Sequence, residues 1–189
     1  DVPRVEKAMS MELTIGESEL PEDFLLAEPS GLVVSDSGDI IVTDENYLKV
    51  FNSRGEPKML LGGKGQGPGE FEGARLPTIS PTGCLAVIDV LWEYNAYGPE
   101  LDFIEKYNLR ADPAIRDFCK KENMTFNMFQ SVYFLDSEHR LIGLFGQIMS
   151  VEGKYPVFYY ILDLRDGKLT QLVKCHSTAN VKNENGGGS

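Results

Sequence analysis

Three observations predict an all-β fold of repeated four-stranded antiparallel meanders. Short β-branched and apolar runs alternate with turn signals. The stretch Ser35-Asp-Ser-Gly-Asp-Ile-Ile-Val-Thr-Asp44 returns as Ser80-Pro-Thr-Gly-Cys-Leu-Ala-Val-Ile-Asp89, so that Ser35, Gly38 and Asp44 fall on Ser80, Gly83 and Asp89, 45 residues on. Ile40 and Val42 fall on Leu85 and Val87 in the same step. A third set of strand-like runs follows. Four strands at a period near 45 are what a β-propeller blade requires.

The first unit reads most clearly. Gly31–Asp36 is a strand, Ser37-Gly38 a tight turn, and Asp39–Thr43 the next strand. Tyr47–Phe51 alternates an outward Lys49 with apolar neighbours, Asn52–Gly55 is a turn, and Pro57–Leu61 closes the meander. The second unit carries Ser80–Asp89 and the strand Leu101–Tyr107, while Leu91–Pro99 reads as an irregular stretch. In the third, Gln130–Leu135, Arg140–Phe145, Tyr155–Leu162 and Lys168–Val173 are strands, with turns at Asp136–His139 and Arg165–Gly167. This unit arrives about ten residues late. The extra length lies in Asp112–Glu122, which predicts one short inserted helix. Asp112 caps it, Pro113 suits its first turn, and Ile115, Phe118 and Cys119 share a face. Met9–Ile15 is expected to be one more strand.

The organisation expected is an N-terminal strand segment at 1–27, suited to the outer strand of another blade, and a first blade with its Gly-rich linker at 28–74. A second blade with the helical insertion takes 75–124, a third 125–178, and a flexible tail 179–189. Asp1 opens the chain without Met, basic n-region or apolar h-region, so a mature or trimmed form is expected.

The 189 residues carry 29 acidic and 18 basic side chains, a formal charge of −11. No basic stripe is present, which disfavours nucleic acid and anionic membrane surfaces as partners. The apolar runs Cys84–Val87 and Val157–Leu162 fall far short of the roughly 18 residues of a transmembrane segment. Cys84, Cys119 and Cys175 lack zinc-ligand spacing. At most one disulfide can form among them, three pairings are open, and buried free thiols are the plainer reading.

Gly31–Gly55, with its Gly-apolar-Val-x-x-x-Gly-x-Ile-x-Val-x-Asp core and trailing x-Val-Phe-x-x-x-Gly, resembles an NHL repeat. Gly62–Phe71 is similar to the linker before the next blade in such propellers. The likeness is closer still to six-bladed propellers of Bacteroidetes. That resemblance implies a periplasmic, secreted or outer-membrane lipid-anchored protein. Those families carry six blades and this chain shows three, so the fold expected is an incomplete or open arc. Each blade packs on two neighbours, so a three-blade arc has two apolar end faces. Three arrangements remain: part of a longer protein, two copies closing a ring by self-association through the open faces, or an arc capped by its termini.

Candidate sites follow. The glycines of Gly62–Gly69 match neither GxGxxG nor GxxxxGK[ST], and no helix follows, so a linker is expected rather than a phosphate loop. Asp44, Glu45 and Asn46, with Asp89 and Glu93, fall where the second strand of a blade ends. In calcium-dependent lactonase-like propellers comparable loops supply oxygen ligands, so Asp44, Asn46, Asp89 and Glu93 are the candidate metal ligands. The competing reading is that the repeat Asp fixes its own turn through nearby backbone N–H groups. No cofactor is expected otherwise. His139 and His176 accompany no nucleophile motif, and Asn123-Met-Thr125 matches a glycosylation acceptor by chance. Trp92, Tyr94 and Tyr97 form a candidate binding cluster, with Phe126, Met128 and Phe129 a second aromatic concentration. The competing reading is that the loop buries its own rings. The leading expectation is a non-catalytic propeller module that binds a protein or a glycan outside the cytoplasm. A metal-dependent lactonase-like hydrolase or lyase is the rival, and a structural fragment of a larger assembly the third reading.

Overall fold

A computed structural model describes residues 13–15, 20–123, 128–136, 140–146, 156–163 and 168–176. Among these residues three four-stranded antiparallel sheets form, each with its strands in chain order. The first contains β1 (Pro29–Val34), β2 (Ile40–Asp44), β3 (Tyr47–Phe51) and β4 (Pro57–Gly62). The second contains β5 (Ala74–Ile79), β6 (Leu85–Asp89), β7 (Glu93–Tyr97) and β8 (Phe103–Asn108). The third contains β9 (Met128–Phe134), β10 (Arg140–Gly146), β11 (Pro156–Asp163) and β12 (Lys168–His176). The two matching stretches therefore lie in different sheets. β5 contacts β1 on one side and β9 on the other, so the first strand of each sheet is innermost and the sheets stand as propeller blades.

The repeated turns have one chemistry. Ser35 Oγ accepts the Asp39 N–H at 3.0 Å, and Ser80 Oγ accepts the Cys84 N–H at 3.0 Å. The Gly38 and Gly83 N–H groups donate to the Ser35 and Ser80 carbonyls. Both glycines hold positive φ, 84° and 89°, where a Cβ is costly. In the β3–β4 turn Asn52 Oδ1 replaces the serine and accepts the Glu56 N–H at 3.0 Å.

All five residues of β6 are buried, because this strand serves two cores. Alternation sends Leu85 and Val87 to Ile41, Leu48, Val50 and Phe71 of the first core. It sends Ala86 and Ile88 to Val132, Leu141, Tyr160 and Leu162 of the second. Each such Val, Leu or Ile side chain contributes about 1.5–3 kcal/mol on burial. Within the second core the Tyr94 and Tyr160 hydroxyls meet at 2.5 Å, and the Tyr160 ring lies over Gly143, where a Cβ would collide with it.

The inserted helix α1 (Pro113–Lys121) forms as its local chemistry demands. Asp112 accepts the Ala114 and Ile115 N–H groups, and Lys120 and Lys121 occupy the negative end of the dipole. Ile115 and Cys119, one turn apart, enter the second core. Cys84 and Cys119 are free thiols, and burial pushes that of Cys119 up.

Two readings are corrected: Lys49 does not point outward but lies buried against Asp44, and the second blade has a strand where an irregular stretch is expected. Leu91–Pro99 is not irregular: Glu93–Tyr97 is strand β7, paired with both β6 and β8. Ala74–Ile79 is a strand although Pro77 lacks a donor; a register shift between Arg75 and Thr78 accommodates it, with Leu76 at φ 42°. Of the Met9–Ile15 segment, residues 13–15 carry no regular structure and 9–12 lie outside the described residues. Also outside are His139, residues 165–167, Phe126, the 124–125 part of the glycosylation match and the 179–189 tail, together with the side chains of Met128, Phe129, Cys175 and His176.

Candidate functional site

The repeat aspartates act as latches on the chain that leads into their own blade. Asp44 Oδ1 accepts the Glu28 N–H at 2.6 Å and Oδ2 the Ala27 N–H at 3.0 Å, partners 16 and 17 residues upstream. Asp89 Oδ2 accepts the Glu72 N–H at 2.6 Å and the Gly73 N–H at 3.3 Å, again 17 and 16 residues upstream. A second donor completes each latch. Lys49, opposite Val42 in register, donates to the Leu25 carbonyl; Asn95, opposite Val87, donates to the Glu70 carbonyl at 3.3 Å. Leu25 and Glu70 are themselves one repeat apart. The expected bond to the aspartate's own turn exists only at Asp89, whose Oδ1 accepts the Leu91 N–H at 2.6 Å.

Asp44 and Lys49 form a buried ion pair at 2.7 Å. Burial would raise the Asp44 carboxyl, but the Lys49 ammonium and the Ala27 and Glu28 N–H groups outweigh it and hold the group below its usual 3.8. Glu93 pairs with Lys106 at 3.2 Å and accepts from Asn108 at 2.8 Å. Asn46 takes part through its carbonyl, which accepts the Gly63 N–H at 3.0 Å. Asp44 and Asp89 thus face their own lead-in segments. Among the described residues no three His, Cys, Asp or Glu side chains gather as a ligand set.

The aromatic candidates separate. Tyr94 and Tyr97 point to opposite cores from β7 and are buried, which raises both phenol pKa values. The Tyr97 ring meets Phe103 edge-on at 5.8 Å. Trp92 stays half-buried in the β6–β7 turn, at φ 73°, with its carbonyl accepting the Leu109 N–H at 3.0 Å. Its neighbour Val90 is 46% exposed. Of the three rings, Trp92 alone borders the surface.

A further apolar surface lies on the first blade, on the side away from the second. Leu32 and Val34 of β1 are 57% and 52% exposed there. They border a groove of about 630 Å³ with Ile40 and Val42, which Leu13 and Ile15 flank. The outer part of this face is covered: Phe24 meets Phe51 edge-on at 5.7 Å, and Lys49 is buried. The 45-residue repeat predicts an open face here, but not which part of it is covered. The Gly-rich run connects β4 to β5, and a Cβ on Gly62 would strike the Asn46 carbonyl oxygen at 2.8 Å.

No protein-family model and no curated protein matches the sequence. Solved structures match the fold. A candidate exported protein from Bacteroides fragilis superposes at TM-score 0.55 and 16% identity, over 86% of this chain and 42% of that one. The WD40 repeats of RRP9 superpose at TM-score 0.53 and 12% identity, over 77% of this chain and 38% of that one. The acylaminoacyl peptidase of Pyrococcus horikoshii does so at TM-score 0.51 and 10% identity, over 81% of this chain and 26% of that one. The chain spans about two fifths of the length of the first two and a quarter of the third. At these identities the likeness is one of fold: three blades of a β-propeller.

Proposed function

We propose that this chain is a non-catalytic binding module of the NHL-like, six-bladed propeller kind that recognises a protein outside the cytoplasm, in the periplasm, secreted or lipid-anchored. The observation that carries this reading is the division of labour between the repeat acids and the surface. The Asp44 and Asp89 carboxylates are occupied by backbone donors and, at Asp44, by Lys49, whereas Val90, two residues from a Trp92 that is half-buried against the second core, leaves an apolar side chain 46% exposed. Apolar contact beside an aromatic ring suits a polypeptide ligand. The NHL-like motif and the fold shared with a candidate exported protein support the location.

The test is Trp92 emission during titration with peptide and glycan libraries. A peptide hit that shifts the emission, with affinity reduced about tenfold or more in Val90→Asp, is the expected result. A glycan hit with no peptide hit overturns the choice of ligand. The calcium-dependent hydrolase reading needs Asp44, Asn46, Asp89 and Glu93 to converge on one ion. Stoichiometric calcium in the purified protein, lost together with hydrolytic activity in Asp89→Ala, would establish that reading in place of ours.

A further inference from the structure

We infer that the open face of the first blade is the seat for the third blade of a second copy of this chain, two arcs closing head to tail into one ring. The inference rests on the propeller fold and not on the ligand proposed above.

The structure itself shows what covers such a face. Ile40 and Val42 stand one repeat before Leu85 and Val87. Those two residues are sealed by Ile41, Leu48 and Val50 of the preceding blade. The lead-in segment repeats as well. Phe71 is fully buried in the first core, and Leu26, 45 residues earlier, lines the open groove. The first blade therefore carries both parts of a blade-receiving surface, a β2 face and a lead-in plug; Ile40 and Leu26 are partly exposed and line the groove, whereas Val42 at its floor is buried.

The opposite end of the arc carries the complement. In the third blade Val132, Leu141, Tyr160 and Leu162 face the second blade. Strand alternation turns Tyr133, Ile142 and Ile161 the other way, and register places Ile142 between Tyr133 and Ile161. Tyr133 is 59% exposed. This outward stripe belongs to the same side of its blade as Ile41 and Leu48, the residues that seal the second blade from the first. Two copies related by a two-fold axis make this junction twice.

Sedimentation of the whole chain tests the pairing. Each chain weighs 21.0 kDa, and the native protein is expected to run at twice that mass. Leu32→Asp and Tyr133→Asp, at opposite ends of the arc, are each expected to run as monomers. An equimolar mixture of the two variants is expected to regain the dimer, because one of its two junctions joins unaltered surfaces. Far-UV circular dichroism checks that the variants remain folded, as the exposure of both positions predicts. A native chain that is monomeric up to its solubility limit overturns the inference, as does a dimer that both substitutions leave intact or a variant mixture that stays monomeric. A monomer that still binds peptide beside Trp92 would overturn this inference and leave the proposed function standing.

Discussion

A buried ion pair is costly to make and more costly to break. Lys49 is 5% exposed, and its counter-charge is Asp44. Asp44→Asn leaves that ammonium buried without a counter-charge, so we expect a loss of about 3 kcal/mol in urea denaturation near neutral pH. The pH dependence follows from the depressed carboxyl. A group lower in the folded than in the unfolded chain stabilises fully above its unfolded value, and that contribution is lost as pH falls through the folded value. The native protein should therefore lose stability below about pH 4, and Asp44→Asn should show a shallower loss over the same range. Identical slopes would mean that other carboxylates govern acid unfolding. The sequence marks Asp44 through its repetition at Asp89. What it does not carry is the target, since a bond reaching 16 residues back requires the strands between to be in place.

At the scale of the element, structure follows sequence wherever the signal is local. Ser35, Gly38, Asn52 and Gly55 fix turns by bonds within five residues, and the flanking strands form as their patterns predict. The helix is a further case. Asp112→Ala should cost about 1 kcal/mol in thermal or urea unfolding, while Asp112→Asn should retain most of it. An equal loss in both would show that the carboxylate's charge, rather than its cap, matters. Strands β5 and β7 are the counter-examples. Pro77 and the left-handed Leu76 argue against a strand, and Asn95 and Ala96 have weak strand preference. Both form through contacts that are not local: β5 lies between β1 and β9 of the neighbouring blades, and β7 is paired on both edges, with Asn95 where Lys49 sits one blade earlier, serving the same carbonyl position. This also explains the fate of the aromatic cluster. Once Glu93–Tyr97 is a strand, alternation sends Tyr94 and Tyr97 into opposite cores and leaves Trp92 at the turn.

For the whole molecule the decisive contacts are between blades. Gly31 of β1 lies against Pro77 of β5, and a Cβ there would overlap the proline ring. Gly31→Ala should therefore destabilise by about 1–3 kcal/mol, as overpacking does, although Ala suits a strand better than Gly. An unchanged unfolding midpoint would mean that the inner strands have room to separate. The propeller was legible in the sequence because its period is carried by turn residues, which are chemically distinctive. The candidate site was legible only in outline, because burial and exposure of Trp92, Tyr94 and Leu32 depend on neighbouring blades.

The aspartate latch has a consequence for how such chains change length. Each carboxylate grips the segment entering its own blade, so every bond of the device closes inside one 45-residue module. A cut between modules severs no latch, and a transplanted module arrives already fastened. Lengthening or shortening the arc by whole repeats is thereby a splice rather than a redesign, and tandem duplication has a ready-made seam in the stretch before Leu25 and its counterpart before Glu70.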